Sequence, residues 1–294
     1  MDQAKPGMIV GKSVFNEEGK ILVNYKVCLT EKLIGQMKEK KLQGLYISDE
    51  LSKDINIEPL VSEELEQRAT QVLHDMDIDA ALEVASDITE ELSRHGDINV
   101  NLVSLRTSSD YTYKHSLNVS ILSVLIGIGM GMRQSALKEL ATAGLLHDIG
   151  KIGIPDRILN KPERLTDEEY KEMKSHVVKG GEILKSFTLI DNIEEGALYH
   201  HERYDGKGYV HGLKGEEIPL NARIIGIADA FDAMTANRVY RKKLDMDFVL
   251  GELKKGRGTQ FDPQLTDIML HLIETGQIDM QRLYDNANVK EEEE

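Results

Sequence analysis

The chain has 294 residues, with 36 Lys and Arg against 51 Asp and Glu, a formal net charge of −15 at pH 7. This length suits one or two domains with a sizeable core, and 40% apolar against 30% charged residues excludes global disorder. The acidic balance argues against duplex nucleic acid as a primary partner, since such binders carry a basic footprint.

Met1 to Pro6 is charged and has no apolar run of the kind a targeting segment needs. Met8 to Phe15 and Lys20 to Leu29 read as two strands around the turn Asn16 to Gly19, a hairpin signal. Cys28 is the single cysteine, so a disulfide within the chain and a thiolate cluster are excluded. A reducing, cytoplasmic setting follows as the expectation. Thr30 caps a helix with Leu33, Ile34 and Met37 on one face; Gly44 ends it and Leu45 to Ile47 forms a third strand. Residues 1–56 are therefore a small α+β module without a catalytic cluster, suited to docking, regulation or dimerisation.

Residues 57–98 read as connecting helices, helical from Ser62 to about His95. Residues 99–286 read as an all-α domain. Its expected helices run from Tyr111 to Gly129, Arg133 to Leu146, Thr166 to Ser186, Ile190 to His200, Arg223 to Val239, Asp245 to Lys255 and Asp262 to Thr275. Thr166 to Glu169 is a capping box. Ser116 to Met132 is the longest uncharged stretch, near the lower limit of a membrane span. Its four Ser and Asn residues and three glycines favour a buried helix, so no span is expected. Residues 287–294 are an acidic tail.

Chemistry concentrates in a few places. His147-Asp148 closes an apolar helix; alone it fits a satisfied core pair as well as a site. Gly150, Lys151 and Gly153 follow directly, and a tight glycine turn brings Lys151 back over the pair. His200-His201 cannot both lie on one buried stripe, because neighbouring helix positions diverge by about 100°. At a helix end both can reach a metal. Asp229 and Asp232 sit at i and i+3 on a small-residue helix, where a buried carboxylate needs a cation or a salt bridge. Asp229 is the candidate ligand and Asp232 the candidate support. His115 and His176 are single histidines whose claim depends on the rest. His74, His95, His211 and His271 lack such company.

These blocks resemble, in order and spacing, the HD-GYP family of HD-domain phosphohydrolases. The matching text is Tyr111 to Ser116, His147 to Asp156, His176 to Gly181, His200 to Tyr209, Gly212 to Arg223, and Ile227 to Thr235 with Arg238 to Arg241. The resemblance implies a mainly α, HD-type domain preceded by the small α+β module. It implies hydrolysis of cyclic di-GMP to linear pGpG, or further to GMP. Two departures fall in the substrate region. Val210 stands where the family reads Gly-Tyr-Pro, and Val239 replaces a second proline. Proline fixes φ, so Val210 loosens that loop.

The resemblance further implies two divalent metal ions. His115, His147, Asp148 and Asp229 hold one, and Asp148 bridges to another completed by His176, His200 and His201. A third ion in some members uses a Glu at the position that here is Tyr111. Nitrogen and oxygen donors without thiolate suit iron or manganese. Lys151 is expected to act on the phosphate or the leaving oxygen. Tyr209, Asp232, Arg238 and Arg241 are expected at the substrate, the two arginines three apart on one helical face. A receptor or scaffold that binds the dinucleotide with little turnover, and a phosphodiesterase for another cyclic dinucleotide, are the alternatives. A homodimer or a signalling protein is the expected partner of residues 1–98.

Overall fold

The structure, a computed structural model, describes residues 4–11, 14–15, 21–23, 26–39, 45, 47–48, 61–94, 111–187, 192–235 and 246–278. They belong to two units, Met1–Glu58 and Pro59–Glu294.

In the first unit the expected strand from Met8 to Phe15 divides at a bend at Gly11 into β1 (Ile9–Val10) and β2 (Val14–Phe15). β2 pairs antiparallel with β3 (Ile21–Val23), the hairpin read from the sequence, although its turn lies outside the described residues. β1 instead pairs antiparallel with β4 (Ile47–Ser48) and bridges to Cys28. The Thr30 hydroxyl accepts from Leu33 N at 3.2 Å and caps α1 (Glu31–Glu39). Val10, Val23, Leu29, Ile34 and Met37 form the small core.

The second unit is helical. Helices α2 (Glu63–Asp75) and α3 (Ile78–Arg94) pack against each other, and their apolar faces belong to the same core as the helices that follow. Helix α4 (Tyr111–Gly129) has the bounds expected for it. It is apolar nearly all round, as a central helix must be, and packs against α2, α3 and α5 (Gln134–Leu146). Among the described residues no helix is long and apolar enough to cross a membrane. A Cβ on Gly144 would lie 3.0 Å from the Ser120 backbone. Glycine therefore lets α4 and α5 nearly touch, while the Ser120 hydroxyl donates to the Ala141 carbonyl at 2.8 Å. That contact sets His115 and His147 side by side, ring centroids 5.3 Å apart.

A 3-10 turn (Ile149–Gly153) and the short α6 (Asp156–Leu159) lead to α7 (Asp167–Lys174), whose Thr166–Glu169 capping box is complete. One long helix was expected from Thr166 to Ser186. The structure breaks it at Ser175 into α7 and α8 (His176–Lys185). There the Ser175 hydroxyl donates to the Glu172 carbonyl at 2.6 Å and the Ser175 amide also bonds three residues back. A serine that competes for its own helix's carbonyls tightens the last turn. The chain then runs through α9 (Ile193–Tyr199) and α10 (Leu220–Thr235), and on to α11 (Met246–Gly256) and α12 (Pro263–Glu274). Asp262 caps α12 and Pro263 opens it, as their positions in the sequence favour.

Candidate metal centre

Five elements deliver seven side chains to one place. His115 comes from α4, and His147 with Asp148 from the end of α5. His176 opens α8, His200 and His201 follow α9, and Asp229 lies on α10. Their donor atoms form three overlapping sets, each within 4.8 Å: His115, His147 and Asp229; His176, His200 and His201; His147, Asp148 and His200. Every residue proposed as a ligand from the sequence is in one of these sets. Asp148 stands in the middle. Its Oδ2 faces His147 Nε2 at 3.3 Å and His115 Nε2 at 3.8 Å, and its Oδ1 faces His176 Nε2 at 3.4 Å and His200 Nε2 at 4.0 Å.

The rings are aimed by their other nitrogens. His147 Nδ1 lies 2.8 Å from the Gly144 carbonyl, His176 Nδ1 2.7 Å from that of Met173, and His200 Nδ1 3.0 Å from those of Gly196 and Ala197. A carbonyl can only accept, so each Nδ1 carries the hydrogen and each Nε2 keeps a lone pair when the ring is neutral. These carbonyls end α5, α7 and α9, and the partial negative charge of helix C-termini favours a cation there. His115 is held differently, with Nδ1 2.7 Å from Asp232 Oδ2. Asn118 donates to the other Asp232 oxygen at 2.7 Å.

Burial pulls the His176, His200 and His201 imidazoles down, His201 to about 4, so they stay neutral at physiological pH. Burial acts on His115 in the same direction. There the hydrogen bonds to Asp229 and Asp232 outweigh it and push the ring up to about 10. Burial raises Asp148 and Asp229, yet both end well below the usual carboxylate range. Lys151 and His147 hold Asp148 down, and the hydrogen bond to His115 holds Asp229 down. Both carboxylates are thus ionised. His147 Nε2, Asp148 Oδ1, His176 Nε2 and His200 Nε2 are buried with no hydrogen-bond partner. Buried polar atoms are almost always satisfied, and four such lone-pair donors converging on one space fit divalent cations.

Residues 98–265 match the family model described as HD domain. The chain belongs to the HD-domain family. Its ordered blocks make it an HD domain of the HD-GYP type. It is 38% identical over 186 residues to a cyclic di-GMP phosphodiesterase of Pseudomonas aeruginosa, covering 62% of this chain and 45% of that protein. It is 36% identical over 169 residues to a 3′3′-cGAMP-specific phosphodiesterase of Vibrio cholerae, covering 57% of this chain and 32% of that one. The matched stretch thus spans less than half of each relative. A solved structure of a HDG"Y"P protein from Bdellovibrio bacteriovorus shares the fold, with a TM-score of 0.55 at 14% identity, over 92% of this chain and 96% of that one.

In this HD domain the remaining expected site residues are placed as follows. The Lys151 ammonium pairs with Asp148 Oδ2. The Tyr209 ring lies 5.0 Å from that of His201, tilted by 30°. Asp232, named both as support and at the substrate, has its two oxygens on His115 and Asn118, so its contacts are those of a support. Arg238, Val239 and Arg241 lie outside the described residues. Two residues of the centre's surroundings escaped the sequence reading. Asn118 is one turn beyond His115, and that i+3 spacing is the signal that could have found it. Glu202, buried directly after His201, accepts from His211 N at 2.6 Å and Gly212 N at 3.0 Å and so closes the loop that carries Tyr209. An acid beside a glycine-rich turn was its only mark.

The turn after Asp148 depends on Gly150. A Cβ there would lie 1.9 Å from the His176 carbonyl oxygen and 2.4 Å from Gly180 N, both backbone atoms that cannot swing aside. Gly150→Ala is expected to cost about 1–3 kcal/mol or more by overpacking. Gly251→Ala is the control: nothing lies within 4 Å of its Cβ, and it sits in a helix. Urea unfolding of the two variants should separate them; equal midpoints would overturn the close approach.

Proposed function

We propose that the chain is a metal-dependent phosphodiesterase that hydrolyses cyclic di-GMP to linear pGpG, or further to GMP. The observation that carries this reading is the convergence of orphaned, buried donors around Asp148. The name of the Pseudomonas aeruginosa relative supports the substrate.

We assign His115, His147, Asp148 and Asp229 to one ion, and Asp148, His176, His200 and His201 to a second. A donor set of five imidazoles and two carboxylates without sulfur favours iron or manganese. Bound ions would supply an acidified water for attack on phosphorus and positive charge for the phosphate oxygens. The chain's own residues do the rest. Asp148, ionised and facing both sets of histidines, would be the ligand shared by the two ions. Lys151 carries its ammonium beside Asp148, where it would meet negative charge on the phosphate oxygens or on the leaving 3′ oxygen. Tyr209, kept as a phenol by burial and by the nearby Tyr170 and carboxylates, closes the pocket over His201. Asp232 keeps His115 turned inward. By the resemblance, Arg238 and Arg241 complete the substrate contacts. We assign residues 1–56 to docking or dimerisation, and the single cysteine supports a cytoplasmic setting.

A second reading keeps the chemistry and changes the substrate to another cyclic dinucleotide. The Vibrio cholerae relative is named as 3′3′-cGAMP-specific, and Val210 alters the loop beside the pocket. Anaerobic purification with elemental analysis, followed by turnover of cyclic di-GMP and 3′3′-cGAMP, tests both. About two metals per chain and preferential cleavage of cyclic di-GMP are expected. Preference for 3′3′-cGAMP selects the second reading. Two bound metals with no turnover of either leaves a receptor, and one metal or none overturns the paired centre.

A further inference from the structure

Lys174 is the last residue of α7, two positions before His176. Its ammonium lies 4.5 Å from the centre of the Tyr170 ring and 4.8 Å from that of Tyr209. Three nearby lysines are neutralised: Lys151 by Asp148, Lys161 by Glu169 and Lys179 by Glu172. Among the described residues no carboxylate lies within ion-pair distance of Lys174. Two aromatic faces attract a cation but carry no charge to cancel it. They hold the ammonium in one place and leave its charge to be met from outside.

That place is defined relative to the centre. Tyr209 faces Lys174 on one contact and His201 on the other, at 5.0 Å between ring centroids. A single aromatic ring therefore separates the ammonium from the histidines. Its contacts are with the two tyrosines and not with the ligand side chains, so it is available to the part of a larger anion that extends beyond the ligand set. A cyclic dinucleotide has two phosphodiesters, of which only one can be cut at a time.

We infer that Lys174, clamped between Tyr170 and Tyr209, binds the phosphate that is not being cut and so selects cyclic dinucleotides over substrates with a single phosphate. This rests on the reading of the chain as a cyclic-dinucleotide phosphodiesterase. The contact forms on binding and is kept through the reaction, so it acts on affinity and not on the chemical step. The Tyr170 and Tyr209 faces reduce the freedom the lysine would otherwise lose on binding.

The test compares the metal-loaded wild type with Lys174→Gln and Lys174→Arg on two substrates. One is cyclic di-GMP; the other is bis(p-nitrophenyl) phosphate, a diester with one phosphate. Lys174→Gln is expected to raise KM for cyclic di-GMP about ten- to a hundredfold, the range of a charge-assisted hydrogen bond, with kcat within about twofold. Its kinetics on bis(p-nitrophenyl) phosphate should be unchanged, and Lys174→Arg should restore most of the affinity. Equilibrium binding of the slowly cleaved bis-phosphorothioate analogue of cyclic di-GMP should weaken in parallel with KM. An unchanged KM in Lys174→Gln overturns the inference, as does an equal loss on both substrates, which would put Lys174 at the cut phosphate. If the wild type cleaves bis(p-nitrophenyl) phosphate and neither binds nor cleaves cyclic di-GMP, the functional reading itself has failed.

Discussion

Asp148→Asn should lose hydrolysis of cyclic di-GMP by on the order of a thousandfold or more, as expected for a member of one catalytic unit, and should lose bound metal with it. The substitution keeps shape and removes charge. Among the described residues Asp148 is the only carboxylate whose two oxygens face opposite halves of the histidine cluster, Oδ2 towards His115 and His147, Oδ1 towards His176 and His200. An amide offers one acceptor oxygen and one NH2, so a cation held by one half of the cluster would meet an NH2 with no lone pair to give it. The effect on folding should be small by comparison, because the side chain makes its contacts with the site and not with the apolar core. Elemental analysis, kcat and a thermal melt on the same sample separate these effects. Full metal content with wild-type turnover would mean that the bridge has been assigned to the wrong residue.

For Lys151→Ala, kcat is expected to fall about 10²- to 10³-fold, the usual loss when one preorganised donor to a developing oxyanion is removed. Both metals should stay, because a protonated amine cannot be a ligand. KM should change little. The contrast with Lys174 is the informative part. Lys151 lies against Asp148, the proposed bridge, where charge would change during the reaction; Lys174 lies against the Tyr170 and Tyr209 rings, where it would not. One lysine should therefore appear in kcat and the other in KM. Normal turnover in Lys151→Ala, or a rise in KM alone, would move Lys151 into the substrate clamp.

The extent to which the sequence foretold this arrangement follows from which interactions are local. Helix α4 has the bounds expected for it because a long uncharged, apolar stretch leaves the backbone few alternatives. The start of α12 at Asp262 and the Thr166 box are single-turn chemistry and were equally legible. The break at Ser175 was not, since the residues from Thr166 to Ser186 suit one helix or two, and what decides is where His176 must point. Five of the candidate ligands stood out as unusual neighbours, His147 beside Asp148, His200 beside His201, and Asp229 in a helix of small residues, whereas His115 and His176 are single histidines that only the family resemblance brought in. Asn118 and Glu202 were missed for the opposite reason. Each is an ordinary polar residue until its partner is known, and the partner of Asn118 is Asp232, 114 positions away. The ring partners of Lys174 were hidden in the same way, since Tyr209 reaches it from another loop.

Three of the five imidazoles take their orientation from main-chain oxygens of their own or the preceding helix. No amino-acid replacement deletes a carbonyl. A survey of side-chain substitutions around His147, His176 and His200 would accordingly find no outer residue whose loss lets the ring turn, and the centre would look unsupported there. Of these four histidines, His115 is the one aimed by a removable side chain, Asp232. Side-chain changes behind three of its histidines therefore leave the aiming hydrogen bonds in place, as long as the helices keep their ends and Gly144 and Gly196 keep their close approaches, while the pair of His115 and Asp232 must change together or not at all.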